Sequence, residues 1–480
     1  MHMTTGRFFR WLPILCSILL ILPAVTWLVA ALTWKPETII DQTVDERRYV
    51  AGGTSLAIDA NGYPRISYYD RTANNTYSVL NYAAWNGASW VIETVDDSDD
   101  SGWESSLALD PASGYPRISY GGVTNDVLKY AAWNGTSWDI ETVDVSSVWY
   151  NSLALDPASG YPRISYCDCP NGGLKYAAWN GTSWDIETID SSDRVGASSS
   201  LALEPGSGYP RISYFDDAWT SLKYAAWNGT SWAIETVDDS YYVGASNSLA
   251  LDPASGYPRI SYSDGWPDGL KYAAWNGISW AIETVDDVGK YNSLALDPVS
   301  GYPRISYHDK PNQTLKYAAW NGTSWAIETV DSSGRVGFYT SLALDKCNYP
   351  HISYTDFTRS VFRQELKYAS AASDCANSAR LIIAIETLPS GGSGFSFKLN
   401  PGTVLFTLND KEVKTFLLAP GEYTVTESVP SGWKLSEIRC DAPVKLGPLS
   451  VDLTLGNQDK VTCVFKYTEE KVYLPVVLNR

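Results

Sequence analysis

The sequence predicts an all-β protein: a seven-bladed β-propeller closed by an N-terminal strand, followed by a C-terminal β-sandwich and preceded by one N-terminal hydrophobic helix. Three observations carry this. First, one unit recurs. Its clearest copy, Ser248 to Gly289, reads SLALDPASGYPRISYSDGWPDGLKYAAWNGISWAIETVDDVG. The SLA serine returns at Ser55, Ser106, Ser152, Ser200, Ser248, Ser293 and Ser341, spaced 45 to 51 residues apart, and a period of that size marks a repeat architecture. Second, each unit holds four short runs rich in Ile, Val, Tyr, Trp and Thr, with no helical period. Third, the seventh unit is incomplete, and the chain ahead of the first unit can supply what it lacks.

Within a unit, SLALD is the first strand, and the turn Pro253-Ala254-Ser255-Gly256 leads into YPRISY. A variable loop precedes LKYAAW. Asn276-Gly277 then opens SWAIETV, because Asn-Gly between two β-rich runs favours a hairpin. One such four-stranded sheet cannot bury both faces alone. Seven arranged radially can.

The last unit has SLALDKCNYPHISY and LKYAS but no WNG and no fourth strand. Thr43-Val44-Asp45, Val50 and Ser55 share the offsets of Thr188-Ile189-Asp190, Val195 and Ser200. The segment around Ile39 to Asp45 is therefore expected as the outer strand of the last blade, with no open edge left. Trp34 and Glu37-Thr38 offer a competing register.

The organisation reads as an export segment over 1–33, a propeller over 34–369, a linker over 370–379, a sandwich over 380–467 and a tail over 468–480. Arg7 and Arg10 precede an uncharged run from Trp11 to Thr33, which is long enough to span a bilayer. Val29-Ala30-Ala31 offers a cleavage site, so signal peptide and signal anchor both stand. Either one exports the propeller and the sandwich, leaving the arginines inside. The expected location is extracytoplasmic, secreted or anchored at the cell surface, with membrane contact only through an uncleaved N-terminal segment. A net charge of −18 argues against nucleic-acid partners.

Cysteines in an oxidising compartment pair. Cys347, in the first turn of the last blade, and Cys375, after its third strand, belong at the same edge and are expected to bond, contributing about 3–4 kcal/mol. Cys440 and Cys463 are expected to pair in the C-terminal domain. Cys167 and Cys169 are open to a strained bridge, free thiols or a soft-metal site.

From Arg380, about seven alternating strands in under 90 residues read as a small sandwich. LAPGEYTVTESVPSGWKL, followed by a Cys, resembles the prealbumin-like (pilin-type B) repeats of bacterial surface proteins. That resemblance covers about Arg380 to Tyr467. It implies an internal Lys–Asn isopeptide bond assisted by a Glu, and Glu427 matches that Glu. Ile385, however, stands where the first-strand Lys belongs, and the last strand ends Lys466-Tyr467-Thr468 without an Asn, so no isopeptide bond is expected; Lys398 is the one substitute lysine. The terminal KVYLPVVLNR resembles short YLP-type tails of exported bacterial proteins. The repeats resemble exported sialidase-like and lectin-like propellers, and WNGTSW is similar to the Asp-box turn of sialidases. Trp stands where that motif carries Asp, so the resemblance does not carry the activity over.

Alternating strand direction places the constant turns DPASGYP and WNGTS on one face and the variable loops on the other. Loops on a rigid scaffold commonly carry ligand sites. The variable face is aromatic: candidate ligand-binding residues are Tyr69, Trp103, Trp149, Trp219, Tyr242, Trp266, Tyr291 and Tyr339, whose rings suit sugar faces and peptide surfaces. The repeated Asp96 and Asp70 classes are expected to cap backbone N–H groups and hold blades together. The Trp85 and Trp90 class is expected to pack blade on blade, and the Arg of each PRISY to be structural. No EF-hand-like loop, metal-spaced histidine pair or phosphate-cradling glycine motif occurs, so no catalytic residue, metal or cofactor is assigned. His308 and His351 are read as structural. The expected function is non-catalytic extracellular recognition or adhesion by a monomer, through binding of a glycan or protein. A sialidase-like glycoside hydrolase or lyase is the alternative, since loop carboxylates can converge, and a purely structural spacer is the third reading.

Overall fold

The computed structural model describes residues 32–40 and 48–470, apart from 73–77, 99, 123–125, 147, 169–172, 219, 266–267, 361–362, 372–378, 401–403, 419–420 and 457–458. The expected N-terminal helix and the C-terminal tail lie outside these residues. Among the described residues there is no helix long and apolar enough to cross a membrane.

The repeats form seven four-stranded antiparallel sheets, an arrangement consistent with a β-propeller. The first sheet is Arg48–Ile58, Pro64–Thr72, Ser78–Trp85 and Trp90–Asp96. The next five repeat this order. Their first strands are Ser101–Leu109, Val148–Leu155, Val195–Leu203, Val243–Leu251 and Lys290–Leu296. In the seventh, Val336–Leu344, Pro350–Ser360 and Arg363–Ala371 are completed by Trp34–Ile40, which pairs antiparallel with Arg363–Ala371.

The N-terminal segment thus supplies the outer strand, but in the competing register. The expected strand around Ile39 to Asp45 is corrected to Trp34–Ile40. Trp34 decides it. Its indole packs edge-on against Tyr317 with centroids 5.2 Å apart and donates to Glu328 at 3.0 Å. The equivalent tryptophans do the same elsewhere: Trp280 meets Tyr224 at 5.5 Å and donates to Glu235 at 3.0 Å. The Thr43-Val44-Asp45 match carried no tryptophan to fill that slot.

Adjacent sheets bury one another. Leu80, Tyr82 and Val95 of the first sheet share a core with Leu107, Ile118 and Tyr120 of the second. Leu56, Ile66 and Tyr68 close the circle against Leu366 and Tyr368 of the seventh. Each fully buried aliphatic or aromatic side chain is worth about 1.5–3 kcal/mol. Hydrogen bonds run along the same circuit. Each SLA serine accepts from the leucine amide of the next sheet, as Ser55 does from Leu107 at 3.0 Å. The seventh such bond, Leu56 to Ser341 at 3.0 Å, returns to the start.

The repeated polar residues hold this frame, as expected. Arg259 bridges Asp252 at 3.3 Å and donates to the Trp275 carbonyl at 2.7 Å, pinning two constant turns together. In the last sheet His351 stands in the arginine's place, 3.4 Å from Asp345. The fourth-strand aspartates do more than cap. Asp96 takes the Ser98 amide at 2.9 Å, and also the Tyr120 hydroxyl at 2.8 Å and Lys129 at 3.0 Å from the next sheet. His308 is buried, with Nδ1 2.8 Å from the Val336 carbonyl.

The C-terminal region is two sheets over one core. One is ordered Val413–Leu418, Ala379–Leu388, Lys460–Glu469, Trp433–Cys440, with the middle two parallel; the other has five strands. Ile383, Phe397, Phe416, Val425 and Phe465 fill the space between them. Cys440 and Cys463 are bonded. Glu427 is buried and accepts from the Tyr467 hydroxyl, while Ile385 lies in the core. Cys347 and Cys167 are each disulfide-bonded, whereas Cys375 and Cys169 fall outside the described residues. Val299, in a constant turn of the sixth sheet, packs against the C-terminal core. The variable face is on the other side.

Candidate functional site

Every first strand is interrupted before its SLA serine. Pairing with the second strand slips between Trp103 and Ser106, Trp149 and Ser152, and Phe338 and Ser341, and at the matching place in the other sheets. A bulge of this kind re-aims a side chain. In each sheet the residue two before the serine is left-handed: Gly53, Glu104, Tyr150, Ser198, Ser246, Tyr291 and Tyr339, with φ from 47° to 82°. Only the first is glycine, and a non-glycine residue pays about 1–2 kcal/mol for this conformation. Six sheets bear that cost at the same point.

The next residue in each strand ties the bulge down. Thr54, Ser105, Asn151, Ser199, Asn247, Asn292 and Thr340 are all buried. Each bonds the second-strand serine of the preceding sheet, as Asn292 does Ser261 at 2.5 Å and Thr340 does Ser306 at 2.8 Å. Several also hold the neighbouring bulge's carbonyl: Asn151 donates to Glu104 at 2.7 Å, Ser199 to Tyr150 at 2.6 Å and Thr54 to Tyr339 at 2.9 Å. The bulge residues are presented by a pre-bonded polar ring.

These two rings line a cavity of about 800 Å³, to which all seven first strands contribute. First strands begin at the variable face, so the cavity belongs to that face. Its wall is asymmetric. Tyr291 and Tyr339 stack obliquely with centroids 4.7 Å apart, and Tyr150 joins them from the third sheet. The first strands of the fourth and fifth sheets bring no aromatic ring to the cavity, lining it with Ala197, Ser198, Ser199, Ala245, Ser246 and Asn247, and Arg194, Phe215 and Asp217 also border it. Arg194 is ion-paired to Asp217. Beside the cavity, Tyr69 stacks on Trp103 at 5.3 Å, and Trp103 meets Trp149 edge-on at 5.8 Å. Trp103 and Trp149 border a side cleft of about 40 Å³ shared with Glu104, Tyr150 and Asp126.

Glu104 is the acidic member of the bulge ring. Its carboxylate accepts from the Tyr150 amide. Burial pushes its pKa up to about 7, with that hydrogen bond opposing. Burial likewise raises the Tyr339 hydroxyl, assisted by Tyr291, Tyr69 and Glu104. No group of three or more metal-ligating side chains occurs among the described residues.

Of the aromatic candidates, Tyr291 and Tyr339 line the main cavity. Tyr69, Trp103 and Trp149 form the array beside it. Tyr242 stands apart, 46% exposed and paired with Tyr241 at 5.2 Å. Trp219 and Trp266 lie outside the described residues. Sequence reasoning missed Glu104, Ser198 and Ser246. The signal was present as a fixed offset: the position two before each SLA serine, which varies more widely than the Thr, Ser or Asn that follows it.

No family model matches the chain, and no curated protein matches it. Solved structures with a similar arrangement include an alpha-L-arabinanase from Penicillium chrysogenum complexed with arabinobiose, at 13% identity over 70% of this chain and 98% of that one, with a TM-score of 0.43. A sialidase from Streptococcus pneumoniae matches at 11% identity over 69% of this chain and 70% of that one, TM-score 0.40. A lectin in complex with alpha methyl fucoside matches at 17% identity over 58% and 96%, TM-score 0.39. Likenesses this distant say nothing of what this chain binds.

Proposed function

We propose that the protein is an exported, non-catalytic recognition protein, a seven-bladed β-propeller that binds a glycan at the cavity on its variable face. The observation that carries this is the cavity's construction: aromatic rings on one arc beside a ring of bonded hydroxyls and amides. Sugars offer apolar C–H faces and many hydroxyls, and such a wall meets both. The binding groups sit on strands anchored to two neighbours, so little ordering is needed on association. The C-terminal unit, with its resemblance to prealbumin-like surface domains, would serve as stalk or adaptor on the opposite face. The disulfides suit an extracytoplasmic setting.

A glycan array probed with the full chain tests the reading. Binding that disappears in Tyr291→Ala/Tyr339→Ala supports it, and no binding to any glycan removes it. A second reading, glycoside cleavage, rests on Glu104, because a carboxyl titrating near neutrality can act as a general acid. Turnover of a glycoside library, abolished in Glu104→Gln, would replace recognition by catalysis.

A further inference from the structure

We infer that the glycan taken by this cavity bears a protonated amino group, and that Glu104 is the residue that selects it. This rests on the glycan reading and narrows it to a chemical class.

Glu104 is placed by the second sheet's bulge, at φ 47°, on the wall of the cavity. Its one protein donor among the described residues is the Tyr150 amide. No Lys, Arg or His pairs with it among the described residues. The cation that lines the same cavity, Arg194, is already engaged with Asp217. A carboxylate in a recessed site without a counter-ion is costly unless a cation arrives. Around it stand the rings of Tyr150, Tyr291 and Tyr339, with Trp103 and Trp149 at the side cleft. Aromatic faces attract cations, and a carboxylate gives an ammonium its strongest hydrogen bond.

The converse ligand fits poorly. An acidic sugar needs a free cationic group, and the cavity's arginine is neutralised. The net charge of −18 adds a long-range field that draws cations in and repels anions. An ammonium docked on Glu104 would favour the ionised carboxylate and release a proton. The other titratable groups facing it are Tyr69, Tyr150, Tyr291, Tyr339 and Asp126, with the Arg194–Asp217 pair beyond.

The test is calorimetric titration of the full chain at neutral pH with three probes: a glucosamine oligosaccharide, its N-acetylated counterpart and a sialylated oligosaccharide. The expected order is glucosamine tightest, by about tenfold or more, with sialylated weakest. Glu104→Gln keeps the acceptor for the Tyr150 amide; it should erase the glucosamine advantage, so that the free amine binds no tighter than the N-acetylated probe. If the N-acetylated or sialylated probe binds as well as the free amine, the inference fails while the glycan reading stands. If no oligosaccharide binds in the probes or on the array, the glycan reading itself fails. Should Glu104→Gln misfold, the wild-type order alone decides.

Discussion

The amide of Leu56 donates to the hydroxyl of Ser341, 285 residues further along, at 3.0 Å. The same bond joins every other neighbouring pair of sheets, from Leu107 to Ser55 through Leu342 to Ser293, also at 3.0 Å. The ring therefore has no weak seam in this element. Ser341→Ala and Ser248→Ala should each cost about 1–3 kcal/mol, the penalty for leaving a part-buried amide unpaired. Urea unfolding should give the two variants equal losses. A much larger loss for Ser341→Ala would mean that the closing junction carries the stability of the whole.

The junctions also carry charge. Asp190 accepts from Tyr214 at 2.8 Å, and Lys223 lies 3.7 Å from it and 2.7 Å from Asp216. Burial raises the pKa of Asp190, but bonds from Ser192 and Tyr214 and the charge of Lys223 outweigh it, leaving the group below the usual carboxylate range. Asp96, Asp144, Asp238 and Asp331 are depressed in the same way. A folded-state pKa below the unfolded one gives stability that is complete above about pH 5 and is lost as pH falls through the folded value. The melting temperature should hold from neutral pH down to about 5 and then fall steeply. Asp190→Asn should flatten that fall and lower stability near neutrality by about 1–3 kcal/mol.

Glu104 has the opposite sign. Its folded pKa of about 7 exceeds the ordinary carboxyl value, so ionising it opposes folding as pH rises through 7. Glu104→Gln should therefore stabilise the unliganded protein above pH 7, by on the order of 1 kcal/mol after solvent screening, and have little effect near pH 4. Thermal melts of both proteins across that range check it.

The Cys440–Cys463 bond closes a separation of 23 residues. Replacing both cysteines by Ala should cost the C-terminal unit about 3 kcal/mol. Differential scanning calorimetry should show this as a lowered C-terminal transition with the ring's transition unmoved. A shift of both would tie the two units' folding together.

Much of this molecule is legible in its sequence because repetition averages out accident. The SLA, PRISY, LKYAAW and SWAIETV runs set strand order, and the tryptophans set the packing between sheets. The first and seventh sheets are less transparent. There Ile40 stands where the other fourth strands have Asp, and Asn81 where the other third strands have Lys, so both halves of the ion pair change together. Asn81 instead accepts from Thr94 at 3.0 Å. The three-residue match at Thr43 outweighed Trp34 because sequence offsets do not reveal which side chain must fill a slot. The cavity wall was half visible. Aromatic enrichment pointed to Tyr291, Tyr339, Trp103 and Trp149, but a bulge leaves no mark in composition, so Glu104 received no assignment from the sequence. Only the backbone shows that it occupies the same left-handed position as Tyr291.

Locating a bound ligand tests the central claim most directly. In a crystal structure of the full chain with the tightest oligosaccharide from the array, density should fill the cavity ringed by the bulge residues, with a sugar face against Tyr291 or Tyr339 and polar contacts to Glu104. Ligand density on the constant face, among the DPASG and WNG turns, or on the C-terminal unit, with the cavity empty, would contradict the account.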